Sequence, residues 1–207
     1  MSAAATTLPT RDRILDAAEI LFSERGLAGT AVRDIATRVG LNPASLYNHF
    51  PSKLALYEVV LERGIHPLLE ILREVAQRDD LENGGEQIID RLMGHLENAP
   101  HLARLLHHEA VTGGVHLGRL ARVWVKPLAA EAVGILKQKA GSEWAEEDYP
   151  LLIAAWIHLI FGHFAMAPLF DEVFDRDTLS RANLARQTHF IRELTLLMLG
   201  RHPSQER

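Results

Sequence analysis

Apolar residues recur at helical spacing along most of the chain. Ile14, Ala18, Leu21 and Phe22 lie three or four positions apart, which marks one buried face of a helix. Thr10 is its predicted cap and Gly26 its predicted end. Val32, Ile35, Ala36 and Val39 form a second set between Thr30, a capping residue, and Gly40. Asn42-Pro43 starts a third helix, an Asx cap followed by proline at the first helical position. Pro51 stops that helix by about Phe50, because the residue before a proline avoids the helical region. Ser52 caps a fourth helix from Lys53, which Gly64 and Pro67 are expected to break or kink before the pattern resumes to about Arg78. The polar, turn-rich segment Asp79–Gly85 follows. Further helices are predicted at about 86–98, 100–112, 117–140, 147–168 and 177–200. No segment shows sustained strand alternation with hairpin turns. The chain reads as all-α with about nine helices.

Composition narrows the chemistry. The 207 residues are 47% hydrophobic and 24% charged, enough for one or two domains with a real core. There is no cysteine, which removes disulfides, thiolate nucleophiles and cysteine-based zinc sites and fits a cytoplasmic location. The N-terminus lacks a basic segment followed by an apolar core, so it is not read as a secretory signal. Its Ala/Thr-rich residues 1–9 are read as a short disordered arm. Residues 151–170 carry no formal charge over 20 positions, long enough to span a bilayer. His158, Gly162, His163 and Pro168 interrupt the run and no Lys/Arg flank orients it, so the expectation is a helix buried on most sides rather than a membrane span. Net charge is −5, yet residues 1–63 balance at seven basic and seven acidic side chains. Within 25–53, Arg25, Arg33, Arg38 and Lys53 face Asp34 alone, a modest footprint for phosphate.

The sharper signal is a spacing. A helix-turn-helix needs a small residue inside its first helix, glycine at the turn and an apolar pin inside its second helix. Counting from Val32, these are Ala36, Gly40 and Leu46, at the fifth, ninth and fifteenth positions. The stretch over 29–60 closely resembles the DNA-binding unit of the tetracycline-repressor (TetR) family. The residues that carry the likeness are Thr30, Ile35-Ala36, Gly40, Leu46-Tyr47, His49-Phe50, Lys53 and Leu56. The preceding helix, with Ile14, Ala17-Ala18, Phe22 and Gly26, fits as well. The resemblance is specific over about 10–63, under a third of the chain.

The resemblance implies a helix-turn-helix domain over 10–68, with its motif at 32–51. A helical effector-binding and dimerisation domain would follow over 69–207. The recognition helix would present Asn42, Pro43, Ala44, Ser45 and Asn48 to the major groove, where hydroxyls and amides read base edges and Ala44 can meet a thymine methyl. Tyr47, His49 and Thr30 resemble the family's phosphate contacts, which position the protein without reading sequence. Lys53 begins a helix, where its charge and free backbone N–H groups can meet a phosphate. Arg33 can reach a guanine or a phosphate.

One short reading helix discriminates little, since a good base contact is worth ~1–3 kcal/mol. A two-fold homodimer on a palindromic double-stranded operator is therefore expected. Its interface is placed on the two C-terminal helices, at Leu152, Ala155, Leu159, Phe190, Leu194, Leu197 and Met198, as a four-helix bundle. The family likeness further implies an effector pocket, with Leu92, His95, Leu105, Trp124, Leu128, Trp156, Ile160, His163 and Phe164 as lining residues. For any one of them taken alone, plain core is the more ordinary reading. The resulting reading is a regulator released from its operator by a small, largely apolar effector. Alternatives are an activator or a metal-responsive regulator with the same DNA-binding domain. The eleven histidines hold no His-x-x-x-His pair, and no metal or other cofactor is expected. Neither a glycine-rich phosphate loop nor a GxSxG is present, so no catalytic residue is assigned.

Overall fold

Why these residues fold as they do is clearest at the turns of the first 64 positions. The computed structural model describes residues 9–76, 84–112, 117–139 and 144–198. No strand occurs among the described residues. The chain divides into two compact units, Met1–Gly64 and Ile65–Arg207. Residues 1–8 of the predicted arm and 79–83 of the Asp79–Gly85 turn lie outside the described residues.

In the first unit, α1 (Thr10–Gly29) begins at Pro9 rather than on a Thr10 cap. Its regular geometry stops at Gly26, as predicted, at φ 68° and ψ 177°, a conformation open essentially only to glycine, and beyond this kink a further turn runs to Gly29. The second helix, α2 (Val32–Arg38), has Ala31 as its cap, not Thr30. It ends in a Schellman turn. Gly40, at φ 73°, donates to the Thr37 carbonyl at 3.1 Å, and Leu41 donates to Ala36 at 2.8 Å. Asn42 then caps α3 (Pro43–Tyr47), its side chain accepting from Ser45 N–H at 2.7 Å. The helix is shorter than predicted, but His49 and Phe50 N–H still donate to the Leu46 carbonyl at 3.0 and 3.1 Å. Ser52 caps α4 (Lys53–Ala76), accepting from Ala55 N–H at 3.0 Å.

Buried Ile14, Ala18, Phe22, Ile35, Ala36, Leu46, Phe50, Leu56 and Tyr57 form this unit's core. The Phe22 and Tyr57 rings meet edge-on at 5.0 Å. Arg63 bridges Asp16 at 2.7 Å and Glu19 at 2.6 Å, fastening α4 to α1. Gly64 and Pro67 do not break α4, which runs through both.

The second unit holds the rest of α4, then α5 (Gly84–Asn98), α6 (Pro100–Val111), α7 (Leu117–Leu120) and α8 (Lys126–Lys139). A π-helical turn, Ala121–Val125, joins α7 to α8. Next come α9 (Tyr149–Ala165), α10 (Ala167–Phe174) and α11 (Arg181–Met198). Helix α9 packs against α6, α8 and α11, and α5 packs against α11. The apolar run over 151–170 is thus two helices divided at Met166, with Pro168 in the first turn of the second, where proline is well tolerated. Glu146–Ala165 is long and apolar enough to cross a membrane by length and composition alone. It is not buried on most sides as predicted. Tyr149, Leu152, Ile160 and Phe164 are core, whereas Leu151 is 67% exposed. The last helix starts at Arg181, later than predicted, because Asp177 organises a turn ahead of it, accepting from Leu179 N–H and, through its carbonyl, from the Ser180 hydroxyl.

At the α9–α10 corner, the His163 imidazole is half-buried and hydrogen-bonded to the Thr178 backbone. Burial holds its pKa below the usual histidine range. The Arg176 charge acts in the same direction, and the Thr178 bond opposes both. Its Nε2 has no hydrogen-bond partner among the described residues. Nearby, the Asp171 carboxylate accepts from Thr178 N–H at 2.7 Å and is held acidic by it. A histidine with a lowered folded pKa stabilises the fold while neutral. That contribution is complete above the ordinary pKa of about 6.5 and is lost as pH falls through the lowered folded value. We therefore expect the second unit's melting temperature to fall between pH 7 and pH 5. His163→Gln should flatten the decline. An equal pH slope in that variant would refute this assignment.

Candidate functional site

The first unit builds its exposed reading surface by burying the opposite face. Leu46 and Phe50 point inward at 0% and 2% exposure, so helical periodicity turns the residues between them outward. Pro43, Ala44, Tyr47 and Asn48 are exposed, as are Asn42 and His49 at the helix ends. Ser45 is half-buried. Tyr47 is 48% exposed; an amphipathic ring left in water has surface and a hydroxyl to offer a partner. Arg33 and Arg38 on α2 are exposed. Arg25 is drawn to Asp34 at 3.1 Å, across the α1–α2 turn.

Two residues with predicted phosphate contacts are placed differently. Thr30 is 1% exposed, and its hydroxyl donates to the Leu21 and Gly26 carbonyls at 3.1 and 2.8 Å. It holds the kinked end of α1, so its hydroxyl does not face outward. The Lys53 ammonium donates to the Leu27 carbonyl at 2.6 Å and the Thr30 carbonyl at 2.9 Å. It satisfies acceptors left open where α1 ends, a C-terminal helix position that favours a cation. Arg13 does the same at the end of α2, donating to Val39 O at 2.7 Å. Asn42 is also partly engaged, since its carboxamide oxygen caps α3. Lys53→Met should therefore lower stability by about 1–3 kcal/mol, through two unsatisfied carbonyls. The salt dependence of any DNA binding should stay unchanged. A salt slope reduced by about one, with unchanged melting, would instead mean the ammonium neutralises a phosphate.

The second unit contains a cavity of about 140 Å³. Its walls come from α4 (Leu68, Leu72), α5 (Leu92), α8 (Leu128) and α9 (Trp156, Ile160), with Val125 supplied by the π-helical turn. Four predicted lining residues, Leu92, Leu128, Trp156 and Ile160, do line it. Leu105 and Phe164, both 0% exposed, are core instead. His95 and His163 are half-buried away from the wall. The side chain of Trp124 lies outside those described. Thr195, which the periodicity did not single out, lines the cavity. It accepts from Trp156 Nε1 at 3.0 Å and donates to Ile191 O at 2.8 Å.

The predicted interface residues divide as well. Phe190 and Leu197 are 53% and 50% exposed. Ala155, Leu159 and Leu194 are half-buried. Leu152 is core, clustered with Leu136 and Tyr149, and Met198 packs on that cluster. The helical phase of α9 is one residue off the prediction, so Leu151, not Leu152, faces outward. Among the described residues, no group of three His, Asp or Glu side chains is placed to hold a metal ion.

The family described as bacterial regulatory proteins, tetR family, matches residues 14–60. The transcriptional repressor KstR2 of Rhodococcus jostii (strain RHA1) is 43% identical over 65 residues, 31% of this chain and 32% of that protein. The negative transcriptional regulator IcaR of the biofilm operon icaADBC of Staphylococcus aureus (strain Newman) is 52% identical over 48 residues, 23% of this chain and 26% of that one. The chain thus spans about a third or less of the length of these relatives. A TetR-like transcriptional regulator from Rhodococcus sp. RHA1 is similar in structure, with a TM-score of 0.69 at 16% identity. That match covers 97% of this chain and 99% of the other, and at that identity it is a likeness of fold.

Proposed function

We propose, from the membership of residues 14–60 in the tetR family of bacterial regulatory proteins, that the chain is a sequence-specific transcriptional regulator. It represses, as a homodimer on a palindromic operator in the cytoplasm, and a small, largely apolar effector releases it. The observation that carries the reading is the exposed α3 face, Pro43, Ala44, Tyr47 and Asn48, held out by Leu46 and the Gly40 turn. Repression is supported by the two relatives that share this stretch, a repressor and a negative regulator. Dimerisation is supported by the apolar surface left on α9 and α11, at Leu151, Phe190 and Leu197. Such exposed apolar area marks an interaction site, and isologous pairing duplicates the reading head. The cavity of the second unit supports effector control. An effector that binds best where the two recognition helices are badly spaced for the operator lowers operator affinity.

Selection of duplexes from random sequence by the full chain tests this reading. Recovery of an inverted repeat is expected. A single half-site would end the dimeric account, and no enrichment would end the DNA-binding one.

A further inference from the structure

The cavity wall is unusual in what it withholds. Among the described side chains that line it, no polar atom contributes surface to the space. Two lining residues own polar atoms, Trp156 and Thr195. The indole N–H is held by the Thr195 hydroxyl at 3.0 Å, and that hydroxyl donates to the Ile191 carbonyl at 2.8 Å. One chain of two hydrogen bonds thus keeps a strong donor away from a space whose other described lining residues are Leu, Ile, Val, Ala and Phe. A charged or carbonyl-bearing group entering here would shed its water and find no free donor among the described side chains. A hydrocarbon would lose nothing. The volume, about 140 Å³, compares with cavities of about 150 Å³ that stay dry and bind benzene.

We propose that this cavity takes an uncharged hydrocarbon moiety about the size of one substituted aromatic ring, and that the Trp156–Thr195 pair sets this specificity. Thr195 is a positioning residue: it acts by keeping the indole N–H engaged. The regulatory meaning of such binding rests on the function proposed above; the binding preference itself does not.

Calorimetric titration of the full chain with ethylbenzene, acetophenone and benzoate, three ligands of similar size, tests the proposal. The wild-type chain is expected to bind ethylbenzene about tenfold or more tightly than acetophenone, and to take up no benzoate. Thr195→Val is near in shape but frees the indole N–H. It should move the acetophenone-to-ethylbenzene preference about tenfold towards the ketone, the scale of one buried hydrogen bond. Trp156→Phe removes the donor and should keep the wild-type order, so the test survives if Thr195→Val fails to fold. Benzoate bound as tightly as ethylbenzene overturns the proposal. So does an unmoved preference in folded Thr195→Val, or a ketone preference in Trp156→Phe. Operator binding is titrated in parallel. Ethylbenzene bound in the expected order with operator affinity unmoved would refute effector control under the proposed function, while supporting the cavity's assignment.

Discussion

Leu46→Ala should all but abolish operator binding by unfolding the first unit. Leu46 is 0% exposed and is the apolar pin between α2 and α3. Leucine-to-alanine changes at such sites cost about 2–5 kcal/mol, the range reflecting how far the cavity collapses. A unit of some 64 residues buries a limited core, with total stability of roughly 3–10 kcal/mol on a per-residue scale. One substitution therefore removes a large share of it. Hydrogen exchange on the full chain should show amides of α1, α2 and α3 losing protection, with those of α9 and α11 protected as before. Retained protection in α2 and α3, with unchanged DNA affinity, would show that Leu46 is not the pin.

The second large effect concerns the pairing of chains. Phe190→Glu combined with Leu197→Glu should yield a monomer of 23.1 kDa in sedimentation equilibrium at micromolar concentration. The two side chains lie seven positions apart, on one face of α11, and each is about half exposed. Their replacement should disturb the fold of the single chain little. Across a two-fold axis the same patch meets itself, so the added carboxylates repel. Losing the second reading head should weaken operator binding by about 10²–10⁴-fold, the scale of lost avidity. A variant that remains dimeric would move the interface elsewhere. The exposed apolar side chains of α10, Leu169, Val173 and Phe174, would be the next place to look.

What was legible in the sequence was local. The Ala36, Gly40 and Leu46 frame specifies small, left-handed and apolar positions over eleven residues, and each does its work with near neighbours. The Gly40 turn and the Asn42-Pro43 cap follow from the same short range. The burial of Thr30 and the carbonyl acceptors of Lys53 were not legible for the opposite reason. The Lys53 acceptors lie 26 and 23 residues away, and no spacing rule reports a contact that tertiary folding makes. Periodicity also separates a buried face from an exposed one, but it says nothing of gaps between buried faces. Four cavity residues were found because they are simply apolar and inward. His95, His163, Leu105 and Phe164 met the same criterion and lie elsewhere. In α9 an error of one residue in helical phase exchanged Leu151 for Leu152. Met166 divided a run that composition alone left continuous.

The central claim is that the exposed face of α3 reads DNA. It is tested most directly by fluorescence-anisotropy titration of the full chain against its selected duplex and a scrambled one. The wild-type chain is compared with Tyr47→Ala and Asn48→Ala, both exposed positions whose loss should spare the fold. Tyr47→Ala should weaken binding to both duplexes alike, by about tenfold or more across two protomers, as expected of a positioning contact. Asn48→Ala should chiefly reduce the preference for the selected duplex, as expected of a base contact. Folded variants that bind both duplexes with wild-type affinity and preference would contradict the account.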